Sequence, residues 1–160
     1  MGSLLTTLLL RRLTGSDVLT LRSYNVGILQ GSAYRALNTR LDEVLHPFEI
    51  SIPEWKLLGK LVDEDGSKPT ELSHFLDVEP PHITKMIDKL AQKKLVQTVP
   101  DIEDARAKFI IPTKKGKKYI ADIEPKVRTS LRGLFADVSL PEIAVYIKVL
   151  QAIVRNSPDK

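Results

Sequence analysis

Basic side chains are concentrated in one quarter of the 160-residue chain, where they could neutralise a polyanion. Residues 80–118 contain nine Lys and one Arg against four acidic residues, which gives this segment a net charge of +6. The whole chain has a net charge of only +4, so the remainder is slightly acidic. A local excess of positive charge is typical of proteins that contact nucleic-acid phosphates. The distribution of charge therefore predicts a polyanionic partner more strongly than the total does.

Within this segment, polar and basic residues recur at helical spacing. If Ile83 faces inward, a rotation of 100° per residue places a polar face outward. A helix of this kind can enter the major groove, with its first turns near base edges and its later turns near phosphates. An ordinary solvated helix face is the alternative. The residues expected near base edges are Pro81, His82, Thr84 and Lys85. The residues expected near phosphates are Lys89, Gln92 and Lys93.

Residues for other kinds of chemistry are absent or poorly spaced. The chain contains no Cys, which excludes disulfides, zinc-thiolate sites and Cys nucleophiles within it. Its three histidines, His46, His74 and His82, do not occur in HxxxH or HExxH spacing, and no GxSxG, P-loop or GxGxxG motif is present. We therefore expect no enzyme, catalytic residue, cofactor or metal. A zinc site at His46 or His74 with a nearby Glu remains an alternative.

Helical periodicity and capping signals divide the chain into elements. Ser51 with Glu54, and Ser139 with Glu142, form capping boxes, while Thr113 is an N-cap residue and Gly66 is expected to end a helix in the left-handed conformation. We predict helices at about 17–46, 51–66, 69–77, 80–94, 113–135 and 139–154, and short strands at 95–99 and 108–111. In the second and third helices we expect inward-facing Ile52, Trp55, Leu58, Leu61, Val62, Leu72, Phe75 and Leu76.

This order predicts a mainly α fold with a small β-hairpin wing, that is, a winged helix-turn-helix with helical extensions at both ends. The predicted DNA-binding domain covers residues 48–118, and the predicted helical dimerisation region covers 17–47 and 119–160. We interpret the Leu-rich segment 1–16 as an extra amphipathic helix or a remnant of expression cloning. It is too short to span a bilayer, so we expect a cytoplasmic protein with no membrane partner.

In the hairpin, Asp104, Arg106, Thr113 and Gly116 match a DxRxxxxxLTxxG pattern in register. With this pattern the hairpin resembles that of the MarR-type transcription regulators. The likeness extends over the stretches IPEWKLLGKL, PTELSHFLDV and PPHITKMIDKLAQKKLV, so that it covers roughly residues 19–156. The chain departs from the family at Pro112 in place of Leu, at Lys94 in place of Gly, and at Thr98 in place of Arg.

The resemblance implies roles for residues of the hairpin. Arg106 is expected to enter a minor groove at the wing tip, because a planar, weakly hydrated guanidinium suits the negative potential of a narrow groove. Asp104 is expected to fix the hairpin by accepting local hydrogen bonds, and Lys108 lies beside them. A surface ion pair of Arg106 with Asp101 or Asp104 is the alternative.

The resemblance also implies a homodimer and a small aromatic or phenolic effector. The terminal helices have more apolar surface than one small winged domain can cover, and isologous pairing would bury it. The candidate dimer residues, each of which could equally be intrachain core, are Leu19, Leu21, Leu134, Phe135, Tyr146, Leu150 and Ile153. The candidate effector-binding residues are Arg22, Tyr24, Tyr34 and Trp55, although core packing is an alternative role for Trp55.

The resulting prediction is a sequence-specific regulator that binds double-stranded DNA as a ligand-responsive repressor with a pseudo-palindromic operator. Two alternatives are a winged helix that binds only proteins, since a fold does not fix a function, and a metal-responsive repressor.

Overall fold

The computed structural model of the chain describes residues 23–101 and 107–157. Seven of its elements are helices and two are strands, and their order matches the predicted winged helix-turn-helix. The α-helices are α1 (Ser23–Leu45), α2 (Ile52–Asp63), α3 (Pro69–Leu76), α4 (Pro80–Gln92), α5 (Lys114–Leu134) and α6 (Leu140–Arg155), with a 3₁₀ turn at His46–Phe48 and strands β1 (Val96–Pro100) and β2 (Lys108–Pro112). The predicted segment 1–16 and the first predicted residues of α1 lie outside the described residues.

Local side-chain hydrogen bonds start several helices where the sequence predicted a cap. The Ser51 N–H donates to Glu54 Oε2 at 3.0 Å, and the Glu54 N–H donates to Ser51 Oγ at 3.4 Å. Thr113 Oγ1 accepts from the Gly116 N–H at 3.0 Å. These contacts satisfy backbone amides that the first helical turn leaves without partners. The predicted starts of α2 and α5 are therefore confirmed.

Left-handed residues end several elements. Lys94 follows α4 with φ of 59°, the position where the resemblance expects Gly, so this lysine adopts a conformation that glycine would adopt more easily. The prediction for Gly66 needs correction. The helix α2 already ends at Asp63, Asp65 adopts the left-handed conformation with φ of 58°, and Gly66 follows with φ of 141°.

The core lies between α2, α3, α4, the hairpin and the first half of α5. Its fully buried side chains include Leu57, Leu58, Leu61, Leu72, Ile83, Leu90, Leu95, Ile110 and Ile123. One prediction of an inward-facing residue was wrong: Phe75 is 52% exposed, with the Lys60 ammonium 4.9 Å from its ring centre. Trp55 is partly buried and packs against the core, and Leu57, which was not predicted, is fully buried beside Leu58.

The hairpin is antiparallel and attached to the helical core. Val96 pairs with Pro112, and Pro100 pairs with Lys108. Pro112 ends its strand, where the absence of an N–H disturbs few ladder bonds. Ser67, just before α3, forms a bridge to Ile110, in which each backbone N–H donates to the other residue's carbonyl at 2.9 and 3.0 Å. The wing is thus connected to the segment that starts the helix-turn-helix.

The terminal helices leave apolar side chains on the surface. The helix α6 contains no buried residue, and exposed apolar residues also run along the first half of α1. Within residues 23–101 and 107–157, no helix combines the length and apolar character needed to cross a membrane.

Candidate nucleic-acid interface

The helix α4 is the central element of the candidate interface. Ile83, Ile87 and Leu90 are buried and dock the helix on the core. The opposite face is exposed, as the sequence predicted. It carries the exposed residues Pro81, His82, Thr84, Lys85, Asp88 and Gln92.

The first turn of α4 is shaped by two prolines, which need no amide partner at these positions. Thr84 Oγ1 donates a hydrogen bond to the Pro80 carbonyl at 3.1 Å, so its lone pairs and methyl group remain available outward. Lys85 is exposed and lies on the side opposite Ile83. This turn therefore presents a donor, an acceptor and apolar carbon close together, which are the groups that read base edges.

The predicted phosphate-binding residues separate into two groups. Gln92 is exposed on the outward face, whereas Lys89 and Lys93 lie on one flank, where Lys89 contacts the first turn of α2 and Lys93 contacts the connection between α1 and α2. Lys89 Nζ is 3.3 Å from Glu54 Oε1, and the Lys93 ammonium donates to the Glu49 carbonyl. No sequence pattern signals these contacts, because they join residues 35 and 44 positions apart. In the free protein both lysines already have intramolecular partners.

Glu54 is the most buried ionisable side chain at this flank. Burial raises its pKa, but hydrogen bonds from the Ser51 N–H and hydroxyl, together with the Lys89 ammonium, outweigh burial and lower the pKa overall. A carboxylate in the first turn of α2 is also favoured by the helix dipole. Glu54 is therefore a stable anion beside the candidate interface.

The stem of the wing is held by Asp101. This carboxylate is buried, and Lys68 Nζ lies 3.1 Å from its Oδ2. The Asp101 N–H also donates to the Ala107 carbonyl at 3.0 Å. Lys108 is exposed at the start of β2, next to the stem. Asp104 and Arg106, the predicted wing-tip residues, lie outside the described residues, so their roles stay predictions.

The two remaining residues of the hairpin pattern have structural roles. Thr113 Oγ1 lies 2.8 Å from the Lys94 carbonyl and caps α5 through Gly116. A Cβ at Gly116 would lie 2.1 Å from the Leu95 carbonyl oxygen, so only glycine fits where α5 passes the end of α4. The pattern therefore combines predicted DNA contacts at one end with packing requirements at the other.

Two lysines of the first turn of α5 are bonded to neighbouring elements. Lys115 Nζ donates to the Lys93 carbonyl at 2.8 Å, and the Lys117 ammonium pairs with Asp65. Cations oppose the helix dipole at this position, and these acceptors offset part of that cost.

Of the predicted effector residues that the structure describes, Trp55 lines a different surface from Tyr24 and Tyr34. Trp55 lines an open groove of about 570 Å³ between α2, α3 and α5, together with Phe75 and Arg128. Tyr24 and Tyr34 lie on α1, are 59% and 65% exposed, and are not among the residues that line this groove. Arg22 lies outside the described residues.

A second, apolar hollow of about 370 Å³ lies between α1, the end of α5 and α6. Its lining includes three of the candidate dimer residues, Leu134, Phe135 and Tyr146. Leu150 is half-buried and Ile153 is exposed, whereas Leu19 and Leu21 lie outside the described residues. In the part of the chain that the structure describes, no three His, Asp or Glu side chains are grouped so as to hold a metal ion.

Comparison with known proteins finds similarity to transcription regulators. The MarR family model matches residues 50–108, from the start of α2 to the start of β2. The uncharacterized HTH-type transcriptional regulator YhbI of Bacillus subtilis (strain 168) is 24% identical over 123 residues, which are 76% of this chain and 79% of YhbI.

Two solved structures share the fold. A mutant MarR from E. coli complexed with operator DNA is 23% identical, with a TM-score of 0.72 and coverage of 80% of this chain and 92% of that chain. CouR from Rhodococcus jostii RHA1 bound to p-coumaroyl-CoA is 20% identical, with a TM-score of 0.75 and coverage of 84% of this chain and 95% of that chain.

The fold is that of a winged helix-turn-helix protein with helical extensions, and the predicted fold class is confirmed. The resemblance to the MarR family of transcription regulators that the hairpin pattern indicated is confirmed. The resemblance to a family of transcription regulators supports the expectation that the chain is not an enzyme.

Proposed function

We propose that this chain is a cytoplasmic, ligand-responsive repressor that binds a pseudo-palindromic operator in double-stranded DNA as a homodimer. The observation that carries the proposal is the exposed first half of α4 beside a wing whose stem is fixed to the same core. In this arrangement α4 occupies the major groove and the wing reaches the adjacent minor groove. The E. coli MarR structure with operator DNA supports this use of the shared fold.

We assign the proposed DNA contacts from the chemistry and position of each side chain. Lys85, Thr84 and His82 read base edges beside Pro81, because they lie on the exposed first turns of α4. The proposed phosphate contacts come from the later part of α4 and the wing, with Arg106 in the minor groove and Asp104 fixing the tip. The phosphate-contacting residues are Lys89, Gln92, Lys93 and Lys108.

Dimerisation is supported by the apolar surface of the terminal helices. The hollow between α1, α5 and α6 and the exposed side chains of α6 would be buried by a second copy of the chain. A two-fold dimer places its recognition helices about one DNA turn apart, ~34 Å. We therefore propose operator half-sites with that spacing, residues 17–47 and 119–160 as the dimerisation region, and residues 48–118 as the DNA-binding domain.

Effector binding is supported by the groove beside Trp55. Two aromatic rings and the Arg128 guanidinium on its wall fit a small aromatic or phenolic anion. The groove adjoins both α2 and α5, which frame the DNA-binding domain. CouR was crystallised with p-coumaroyl-CoA, a phenolic thioester, which supports an aromatic effector class. Trp55 is the sole tryptophan of the chain, so its fluorescence reports occupancy of this groove.

Selection of bound genomic DNA fragments, followed by fluorescence anisotropy across a salt series, tests DNA binding. We expect the affinity for a selected duplex to fall steeply with salt. Lys85→Ala should weaken binding to that duplex by about tenfold to a hundredfold, the range for loss of one good base contact. Lys148→Ala on α6 removes the same charge far from α4 and should leave the affinity unchanged.

The outcomes separate the alternatives. A protein-interaction module would bind no duplex with salt-dependent affinity, and Lys85→Ala would then have no effect. A metal-responsive repressor would change its operator affinity when zinc is added. Equal losses for Lys85→Ala and Lys148→Ala would remove α4 from the proposed mechanism.

A further inference from the structure

The connection between α1 and α2 and the first turn of α2 hold one flank of the recognition helix. The Lys93 ammonium donates to the Glu49 carbonyl, and the Lys89 ammonium pairs with Glu54. Glu49 itself is left-handed, with φ of 52°. Two of the positive charges nearest the proposed DNA surface are therefore bound by the protein itself.

The pair between Lys89 and Glu54 is unequal in exposure. The Lys89 side chain is 66% exposed, whereas that of Glu54 is 9% exposed. Glu54 is also fixed in place by the Ser51 N–H, which donates to its other carboxylate oxygen at 3.0 Å. When a competing anion approaches, the lysine can move and the carboxylate cannot.

A DNA phosphate is such a competing anion. On the helical wheel Lys89 lies about 120° from the buried Ile83, between the docked side and the outward face. Its flexible four-carbon stem therefore allows contact with either Glu54 or a phosphate. The two contacts are alternatives, because one ammonium beside a buried carboxylate is already largely neutralised.

We propose that Glu54 competes with DNA phosphate for Lys89 and so lowers the affinity of the recognition helix for DNA. This inference rests on the proposed function, since it requires that α4 meets DNA. Glu54 acts here as a positioning residue that touches no DNA itself. Its effect is carried by the lysine it retains.

Glu54→Gln is a sharp test because glutamine keeps the helix start. Gln at the third helical position can still accept from the Ser51 N–H, as capping boxes use Glu or Gln. Only the charge that retains Lys89 is lost. Glu43→Gln is the matched control, since Glu43 on α1 pairs with Arg40 at 2.9 Å and lies on another element.

The experiment is a double-mutant cycle on DNA affinity. Wild type, Glu54→Gln, Lys89→Met and the double variant are titrated into a mixed-sequence 30-base-pair duplex at 150 mM KCl and followed by fluorescence anisotropy. Release of one additional counterion corresponds to a gain of about fivefold per subunit at this salt concentration. We expect Glu54→Gln to tighten DNA binding when Lys89 is present. This gain in affinity should be about fivefold larger than the gain from the same substitution in the Lys89→Met background.

Other results overturn the inference. If Glu54→Gln tightens binding equally in both backgrounds, Glu54 only repels phosphates through its own charge. If Glu43→Gln produces the same gain as Glu54→Gln, the effect is one of net charge. If the wild type binds no duplex, the proposed function fails together with this inference, whereas an additive cycle on a DNA-binding wild type removes this inference alone.

Discussion

The winged segment and the terminal helices differ in the burial of their apolar side chains. Eleven of the fifteen buried hydrophobic side chains of the described residues lie in the winged segment 48–118, and Leu41, Leu45, Ile123 and Val127 of the adjoining helices pack against them. The helix α6, in contrast, has none, and Val145, Ile147, Val149, Ile153 and Val154 are all exposed. One region is complete within a single chain, and the other presents an apolar surface that fits a second copy.

The difference has a functional counterpart. A self-contained winged segment can hold α4 and the hairpin in fixed relation, which sequence reading requires. Terminal helices that pair between chains set the distance between two such segments. Changes in the first region should therefore affect folding, and changes in the second should affect assembly.

The largest effect is expected at Gly116. Gly116→Ala places a Cβ 2.1 Å from the Leu95 carbonyl oxygen, a backbone atom that cannot move without shifting the wing. We expect the free energy of unfolding, measured in urea, to fall by about 3 kcal/mol, the upper range for overpacking.

The matched control lies in the same helix. Gly133→Ala meets no heavy atom within 4 Å, so we expect stability to stay constant or rise by up to about 1 kcal/mol, since Ala favours helix more than Gly. Similar losses for the two substitutions would mean that helix α5 does not pass the wing as closely as described.

At Ile153 we expect a smaller effect on the free energy of unfolding than at Gly116, and a larger effect on dimer assembly. This side chain is 52% exposed in a single chain, and Ile153→Glu would place a charge in the proposed dimer interface. Burial of an isoleucine contributes about 2 kcal/mol, so the dimer should dissociate at least about tenfold more readily in sedimentation-equilibrium experiments.

Lys148→Glu changes a charge on the same helix and serves as the control. It should alter assembly less than Ile153→Glu, because Lys148 is already polar and exposed. A monomeric wild type would show that the apolar face of α6 has another occupant.

Sequence reasoning succeeded where the determining contacts are local. The starts of α2 and α5 depend on residues three positions apart, so Ser51 with Glu54 and Thr113 with Gly116 could be recognised directly. The exposed face of α4 followed from the helical period once Ile83 was taken as buried. The hairpin pattern supplied the resemblance to a known family.

Sequence reasoning failed where contacts between elements distant in the sequence determine which side chains are buried or paired. An apolar stripe on α2 fits several rotations, and only the approach of the other elements makes Leu57 rather than Trp55 the buried residue. The contact of Lys89 with Glu54 joins two helices with no sequence signal, and the outward face was therefore predicted to be freer than it is. Tyr24 and Tyr34 were grouped with Trp55 by their place on neighbouring helices, although they do not line the same groove.

The smallest effect is expected on the pH dependence of Tm, when the N-terminal caps of one helix in each region are changed. A hydrogen bond from the Ser67 hydroxyl, followed by one from the Lys68 N–H, holds the pKa of Glu71 below its usual range at the start of α3. The Ser139 hydroxyl and N–H lower the pKa of Glu142 in the same way at the start of α6. A lowered pKa means that the folded state prefers the carboxylate. The resulting stability is present above the ordinary Glu pKa of about 4.3 and is lost as the pH falls below it.

Glu71→Gln should therefore flatten the decline of Tm between pH 5 and pH 3, because glutamine can cap α3 without titrating. In the Ile153→Glu background, where α6 has no partner helix, Glu142→Gln should leave this decline unchanged, since α6 then unfolds separately from the winged segment. Calorimetry of the variants across this pH range measures both effects. If Glu142→Gln flattened the profile as much as Glu71→Gln, α6 would unfold together with the winged segment, and the division between a self-contained region and a region completed by a partner would have to be abandoned.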